Sequence, residues 1–270
     1  VRNIVRLKQT QKNIGYDPKE VETVEKTLGI SYETEQRKAF HILDDSGVKV
    51  LTGGPGTGKT TLLNGLLTVY QSQCPEAKIV LCSPTGMASE RMSESTGREA
   101  ATVHKTLEYR PFGGDDASFK NQTDPITADC IVVDESSMID TELAGMLLDA
   151  VPNGCLVLFC GDVDQLDSVG AGAVLKDLIA SEEVPVFRLK TLFRQAKESG
   201  IVGNALKVNQ ADTNLTIQKD FHILRYQSNG DVKKMLDRLF PEYRLNIFDT
   251  TQLLSTTKKG ESGTFAINRN

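Results

Sequence analysis

The sequence predicts an α/β fold built around a parallel β-sheet. From residue 48 onward, short apolar runs alternate with helix-like segments, and each run is apolar at nearly every residue. Strands of this kind are buried on both faces, as in parallel sheets covered by helices. The predicted strands are Val48–Leu51, Lys78–Cys82, Cys130–Val133, Leu156–Cys160 and Pro185–Leu189, and the predicted helices between them are Thr60–Gln71, Gly86–Ser95, Thr141–Ala150 and Ala173–Ser181.

The first predicted strand leads into a glycine-rich loop that opens a helix. Gly53, Gly58, Lys59 and Thr60 fill the pattern G-x-x-x-x-G-K-[ST]. Glycines let successive backbone N–H groups face one phosphate, and the helix N-terminus adds partial positive charge. The pattern predicts that Lys59 reaches the β- and γ-phosphates of a nucleoside triphosphate and that Thr60 ligates Mg²⁺. The predicted nucleotide-binding residues of this loop are Gly53, Gly54, Pro55, Gly56, Thr57, Gly58, Lys59, Thr60 and Thr61.

Composition indicates a soluble globular protein of one to two domains, with 39% hydrophobic and 25% charged residues in 270. The sequence shows neither a membrane-spanning run nor the apolar core of a signal peptide, so we expect a cytoplasmic protein. The net charge of −5 argues weakly against a general nucleic-acid coat and leaves a local basic groove open. The five cysteines show no C-x-x-C spacing, and four of them lie in or beside apolar runs, which indicates small core residues in a reducing compartment: Cys82, Cys130, Cys155 and Cys160.

Three segments are predicted along the chain. Residues 1–31 form an N-terminal helical segment, with a helix from Asp17 to Gly29, and a second helix over 34–44 leads into the first strand. Residues 32–192 form the main α/β domain. Residues 193–270 begin a second domain, with helices over 199–208 and 231–240 and strands over 221–225 and 252–255. Two strands are too few for an independent sheet, so we expect a fragment of a longer chain.

One segment interrupts the alternation of strands and helices. Residues 107–121 carry turn-forming residues in the middle and aromatic residues on both sides. This pattern is typical of a protruding β-hairpin, here an insertion of about 107–125, and a plain surface loop fits it equally well.

Polar side chains follow three later segments at positions suited to phosphate chemistry. Asp134, at the end of the third strand, is placed to hold Mg²⁺, and Glu135 to orient or deprotonate the attacking water. Gln165 follows the fourth strand and is suited to hydrogen-bond a γ-phosphate. Arg194 lies where the first domain gives way to the second, and either neutralises charge on the γ-phosphate or forms a surface salt bridge.

Six ordered motifs together resemble superfamily 1 helicases, and more narrowly the RecD family, the α-subunit type of exodeoxyribonuclease V. The likeness covers the chain from about Ser31 to Asn270. The motifs are Gly53–Thr60, Ser83–Ala88, Ala101–Leu107, Asp134–Ser137, Gly161–Leu166 and Leu192–Ala196.

The resemblance implies a RecA-like P-loop NTPase core, motor domain 1A, followed by the beginning of a second RecA-like domain, 2A. Gln36 matches the glutamine that reads adenine, and the hairpin matches a small pin that helps split duplex DNA. The motif residues implied to touch single-stranded DNA are Pro84, Thr85, Thr102 and His104. Family members use ATP and Mg²⁺ to move 5′ to 3′ on DNA in recombination and repair, and the family reading places them in the bacterial cytoplasm.

The later motifs of the family's second domain are not found, including the arginine that completes the nucleotide site from across the cleft. We therefore expect this truncated motor portion to bind nucleotide, hydrolyse it weakly and not unwind DNA. Partners implied by the family are single-stranded DNA, duplex ends and other subunits of the exodeoxyribonuclease V type. The sequence shows no acid cluster typical of a two-metal nuclease.

Two other functions stay open. A P-loop ATPase switch or loader acting on protein partners would also need the phosphate loop and the Asp134–Glu135 pair, but would not need the motifs around Thr85 and Thr102. A subunit that binds nucleotide only for structure would not need Glu135 as a water-activating acid.

Overall fold

The computed structural model describes residues 1–109, 119–193, 196, 198–226, 228–242, 251–260 and 263–267. The chain divides into two compact units, Val1–Leu215 and Thr216–Asn270. The predicted boundary between residues 192 and 193 falls inside the first unit, as does the boundary after residue 31.

In the described part of the first unit, the strands form one all-parallel sheet, as predicted, but the sheet has six strands where the sequence predicts five. Its strand order is β3-β2-β4-β5-β1-β6. Strand β5 therefore lies between β1 and β4 and pairs in parallel with both. Strand β3 has three residues and was not predicted. The strands are β1 Gly47–Gly53, β2 Ile79–Ser83, β3 Ala100–Thr102, β4 Cys130–Val133, β5 Leu156–Gly161 and β6 Val186–Leu189.

Four of the helices that connect these strands lie where the sequence predicts them, and the four-residue helix Val103–Thr106 was not predicted. Asp17 caps α2 by accepting a hydrogen bond from the Lys19 N–H at 2.9 Å, and Gly29 ends α2 in the left-handed conformation. The predicted helix over 34–44 is α3 followed by a 3₁₀ turn, Phe40–Leu43. The helices are α1 Arg2–Gln9, α2 Pro18–Leu28, α3 Thr34–Ala39, α4 Lys59–Gln73, α5 Gly86–Thr96, α6 Val103–Thr106, α7 Thr141–Ala150 and α8 Val174–Ala180.

Both faces of the sheet are buried. Successive side chains of a strand point to opposite faces, so neighbouring residues of one strand belong to different core clusters. On β1, Val50 belongs to one core cluster, while Leu51 belongs to the other. Helices α1, α7 and α8 supply the first cluster, and α2 and α4 supply the second. Four of the cysteines are buried in these clusters, as predicted, and burial raises the pKa of the Cys82 thiol to about 12.

Helix α1 is a feature of the fold that the sequence analysis missed. Its Leu7 side chain is fully buried in the first core cluster. Arg6 donates hydrogen bonds to the carbonyl oxygens of Leu148 at 2.9 Å and Val151 at 3.0 Å. These carbonyls close the end of α7, so a cation there satisfies acceptors that the helix itself leaves unpaired. Helix α1 thus packs on the core of the first unit through Leu7.

Replacing Leu7 by alanine should lower the free energy of unfolding by about 2–5 kcal/mol, because it leaves a cavity in a well-packed core. Val5 lies on the same helix and is 46% exposed, so Val5→Ala should cost about 0.5 kcal/mol or less. Urea denaturation of both variants measures the difference. Equal effects of the two substitutions would show that α1 does not stabilise the unit.

Past the sheet, two helix predictions are confirmed and two strand predictions are wrong. The helices are Gly200–Asn209, in the first unit, and Asn229–Glu242, in the second. Residues 222–226 and 251–255, all described, form no strand, and Phe221 makes only an isolated bridge with Gln218. A strand needs a paired neighbour for its backbone N–H and C=O groups, and apolar composition alone does not supply one.

Within the described ranges, none of the helices is both long enough and apolar enough to cross a membrane.

Candidate nucleotide-binding site

The phosphate loop joins β1 to α4 as predicted. Gly56 and Gly58 adopt positive φ angles of 75° and 77°, a region that side chains with a Cβ rarely occupy. Gly58 is also the residue at the N-terminal cap of α4. The two glycines therefore let the backbone curl directly into the helix N-terminus, where N–H groups and the helix dipole favour an anion.

The Lys59 side chain folds back over this loop. Its ammonium group donates hydrogen bonds to the carbonyl oxygen of Gly53 and, at 3.3 Å, to that of Gly54. The buried Thr57 hydroxyl donates to the Gly54 carbonyl at 2.8 Å. The Thr60 side chain belongs to an exposed residue on the first turn of α4. Hydrogen bonds within the loop thus fix its conformation and hold the Lys59 ammonium group against it.

A cavity of about 370 Å³ lies against the loop, a size typical of small-molecule sites. It brings together the loop and the two acids at the end of β4, which lie far apart in the sequence. Its lining residues are Gly54, Pro55, Gly56, Gly58, Lys59, Thr60, Thr61, Leu63, Asp134, Glu135 and Cys160.

The backbone at the two acids is unusual. Asp134 continues β4, with its N–H donating to the Cys82 carbonyl at 2.9 Å. Glu135 has a φ of 50°, in the left-handed region that a glutamate rarely adopts. The next residue, Ser136, donates its hydroxyl to the Cys160 carbonyl on β5 at 2.6 Å. This hydrogen bond anchors the turn, so the Glu135 conformation is held by its neighbours.

Burial raises the pKa of both acids. For Asp134, loss of solvent is the main cause, and the hydrogen bond from the Glu135 backbone and the Lys59 charge oppose it. For Glu135, burial is again the main cause, the Asp134 charge adds to it, and the Asp162 charge also raises the pKa. Two carboxylates in one partly buried site favour a proton on one of them. A raised pKa suits a general base near neutral pH.

If Glu135 is the general base, ATP hydrolysis should fall on the acid side of neutrality. A base works when deprotonated, so the rate declines as pH drops through its pKa, which lies above the ordinary value of 4.5. Asp162→Asn removes one charge that raises this pKa and should move the decline to lower pH. The measurement is single-turnover hydrolysis between about pH 5 and pH 8. A decline that Asp162→Asn leaves in place would assign it to another group.

Two predicted residues have different outcomes. Gln165 is exposed in the turn after β5. Strand β5 lies between β1, which leads into the phosphate loop, and β4, which ends in the two acids. Arg194 lies outside the described residues, so its role stays a prediction. Sequence reasoning missed Asp162, which is 2% exposed and accepts a hydrogen bond from the Asp164 N–H at 3.0 Å. Its position in the same motif as Gln165 was the available signal.

Gln36 lies at the phosphate loop and is 2% exposed. Its side-chain amide nitrogen donates to the Thr57 carbonyl at 3.4 Å, and its amide oxygen accepts from the Glu33 N–H at 3.0 Å. The second bond is half of the capping box that starts α3. The Gln36 side chain therefore braces the loop, and reading of adenine stays a prediction.

The residues predicted to touch DNA lie at the ends of β2 and β3, which pair at one side of the sheet. Pro84 and Thr85 follow β2, Thr102 is the last residue of β3, and His104 lies in α6. The side-chain oxygens of Thr85 and Thr102 accept hydrogen bonds from the N–H groups of Ala88 at 3.3 Å and Lys105 at 3.2 Å. They thereby cap α5 and α6. His104 is exposed, and Pro84 is half-buried. All four lie at the edge of the sheet where strands end, the same edge as the phosphate loop.

The predicted hairpin lies mostly outside the described residues, which stop at 109 and resume at 119. Its base is described. The Lys120 N–H donates to the Leu107 carbonyl at 2.9 Å, and the rings of Tyr109 and Phe119 have centroids 6.2 Å apart. The His104 and Tyr109 ring centroids are 5.6 Å apart. The two ends of the insertion therefore meet beside α6, and its form beyond them stays a prediction.

Comparison with known proteins gives concordant results. The family described as AAA domain matches residues 31–235. The chain is 36% identical over 202 residues to the ATP-dependent RecD2 DNA helicase of Deinococcus radiodurans, covering 74% of this chain and 27% of that protein. It is 36% identical over 204 residues to the RecBCD enzyme subunit RecD of Mycobacterium tuberculosis, covering 66% of this chain and 35% of that protein.

Among solved structures, the Pif1 helicase from Candida albicans overlaps 79% of this chain and 55% of its own, at 20% identity and a TM-score of 0.48. The chain spans about a quarter to a third of the length of the two curated relatives. The family match covers the phosphate loop, both acids and the six ordered motifs. The chain therefore belongs to the AAA domain family, and its resemblance to RecD-type helicases is confirmed.

Proposed function

We propose that this chain is the ATP-binding motor portion of a DNA helicase or translocase of recombination and repair, moving 5′ to 3′. One observation carries the proposal. The cavity formed by the phosphate loop, Asp134 and Glu135 opens at the same edge of the sheet as the residues that follow β2 and β3. A motor needs the two sites to be close, because ATP hydrolysis at one site has to change the protein's contacts with DNA at the other.

In this function, backbone N–H groups of the loop and the Lys59 ammonium bind the triphosphate. The oxygens of Thr60 and Asp134 are the ligand type that Mg²⁺ prefers, and both residues line the cavity. Bound Mg²⁺ would neutralise charge on the β- and γ-phosphate oxygens. Glu135 accepts the proton of the attacking water. Gln165 hydrogen-bonds the γ-phosphate, and Arg194 neutralises charge on it. Pro84, Thr85, Thr102 and His104 bind the backbone of single-stranded DNA.

The partners and location follow from the same proposal. One relative is named an ATP-dependent DNA helicase, and another is named a subunit of the RecBCD enzyme. We therefore propose DNA ends and single strands as substrates, with other exodeoxyribonuclease V-type subunits as the alternative context, in the bacterial cytoplasm. DNA contacts made through phosphates should weaken as salt rises.

The test is ATP hydrolysis with and without single-stranded DNA, with Lys59→Ala as the inactive control. The proposal expects stimulation by DNA that rising salt removes and that Lys59→Ala abolishes. A slow basal rate stimulated by DNA fits a motor portion. Tight ATP binding without any response to DNA would instead favour the ATPase switch or loader that acts on protein partners.

A further inference from the structure

Glu35 makes contacts that formation of the short helix α3 does not require. One oxygen of its carboxylate accepts hydrogen bonds from the N–H groups of Lys190 at 2.7 Å and Thr191 at 3.1 Å, and from the Thr191 hydroxyl at 3.3 Å. The hydrogen bond from the Lys190 backbone is the main cause that lowers the pKa of Glu35. The carboxylate is thus a three-way acceptor for a segment 155 residues away in the sequence.

The segment that Glu35 holds follows β6 and lies on the phosphate loop. Two residues beyond Thr191, the Phe193 N–H donates to the Gly56 carbonyl at 3.1 Å. The Phe193 ring lies so near Gly58 that a Cβ there would collide with its edge, and a Cβ on Gly56 would collide with Ala196. Residues 190–193 therefore form a strap, defined as this segment, that covers one side of the loop.

The neighbouring residue on the same helix holds the loop from another side. Gln36 donates to the Thr57 carbonyl at 3.4 Å, and a Cβ on Gly58 would lie 2.7 Å from its amide nitrogen. Helix α3 thus contacts the loop directly through Gln36 and indirectly through Glu35 and the strap. Helix α3 is itself fixed to α2, because Arg37 donates to the Glu25 carboxylate at 2.6 Å.

We propose that Glu35 is a positioning residue that keeps the strap closed on the phosphate loop and so sets the affinity of the loop for a nucleoside triphosphate. The inference rests on the proposed function, because it concerns the same site. The argument is geometric. Without the carboxylate, two backbone N–H groups of the strap lose their acceptor, and the Phe193–Gly56 hydrogen bond and the packing of the Phe193 ring near Gly58 remain.

The experiment measures binding of a fluorescent ATP analogue to the full chain by titration, together with KM and kcat for hydrolysis. Glu35→Ala should weaken binding and raise KM by about tenfold, the effect of losing one charge-assisted hydrogen bond, with a smaller change in kcat. Glu35→Gln keeps a side-chain oxygen for the same N–H groups and should restore most of the affinity. Glu76 is exposed in the turn before β2, at the opposite edge of the sheet, so Glu76→Ala is the matched control.

Three outcomes separate the possibilities. Weaker binding by Glu35→Ala, with rescue by Glu35→Gln and no effect of Glu76→Ala, supports the inference. A lower melting temperature for Glu35→Ala with unchanged affinity and KM overturns it, because the residue would then serve stability alone. If the unsubstituted chain does not bind the analogue, the proposed function itself fails and the inference falls with it. Should Glu35→Ala not fold, Glu35→Asp, whose shorter side chain reaches the strap less well, carries the same comparison.

Discussion

Replacing Glu135 by glutamine is expected to slow ATP hydrolysis by about a thousandfold while nucleotide binding stays intact, because a general base contributes factors of about 10²–10⁴. Glutamine has nearly the same shape and can occupy the same left-handed backbone position. It cannot take a proton from water. The substitution also removes one of two neighbouring carboxylates whose pKa values are raised by burial, so binding of the negative triphosphate should be unchanged or tighter.

The measurement is single-turnover hydrolysis, which reads the chemical step even where turnover is slow, beside a titration with a non-hydrolysable analogue. Glu142→Gln is the matched control, since Glu142 is exposed in the first turn of α7. Loss of binding together with hydrolysis in Glu135→Gln would indicate a structural role. Retention of full hydrolysis would remove Glu135 from the catalytic step and would assign activation of the water to another group.

Much of the first unit is predictable because its signals are local. Continuous apolar runs identify the parallel strands, and side-chain caps such as Asp17 and Ser199 mark where helices start. The phosphate loop is defined by spacing within eight residues. Strand β3 was not predicted, because three residues are too few to show an apolar pattern. Helix α1 was not predicted, because it is stabilised by burial of Leu7 and by the hydrogen bonds of Arg6 to the end of α7, contacts between residues about 140 positions apart.

The predicted strands in the second unit show the opposite error. Residues 221–225 have the composition of a strand, but a ladder needs a neighbouring strand, and composition does not reveal one. In the site, the residue types were predictable and their support was not. The link from Glu35 to the strap and the bond from Ser136 to the Cys160 carbonyl join distant positions. Only the folded arrangement places such partners together.

The phosphate loop should be intolerant of a single methyl group at Gly58. Gly58→Ala is expected to weaken nucleotide binding by about a hundredfold. The residue has a φ of 77°, a conformation that costs a residue with a Cβ about 1–2 kcal/mol. The new Cβ would also collide with the Phe193 ring and approach the Gln36 amide nitrogen to 2.7 Å, and overpacking adds about 1–3 kcal/mol. Relief of both requires the loop or the strap to move.

Gly145→Ala is the matched control, because Gly145 lies inside α7 with nothing within 4 Å of an added Cβ. That substitution should raise the free energy of unfolding by about 0.5–1 kcal/mol through helix propensity and leave binding alone. The two variants, titrated with the same ATP analogue and unfolded in urea, separate damage to the loop from general effects of alanine.

If Gly58→Ala binds as tightly as the unsubstituted chain, the strap moves aside at little cost, and its closure on the loop does not govern affinity. A hundredfold loss of binding by a Gly58→Ala chain that still unfolds cooperatively would show that the glycine is kept for binding. The loop, the strap and helix α3 leave no room for a side chain at the point where the triphosphate is proposed to bind.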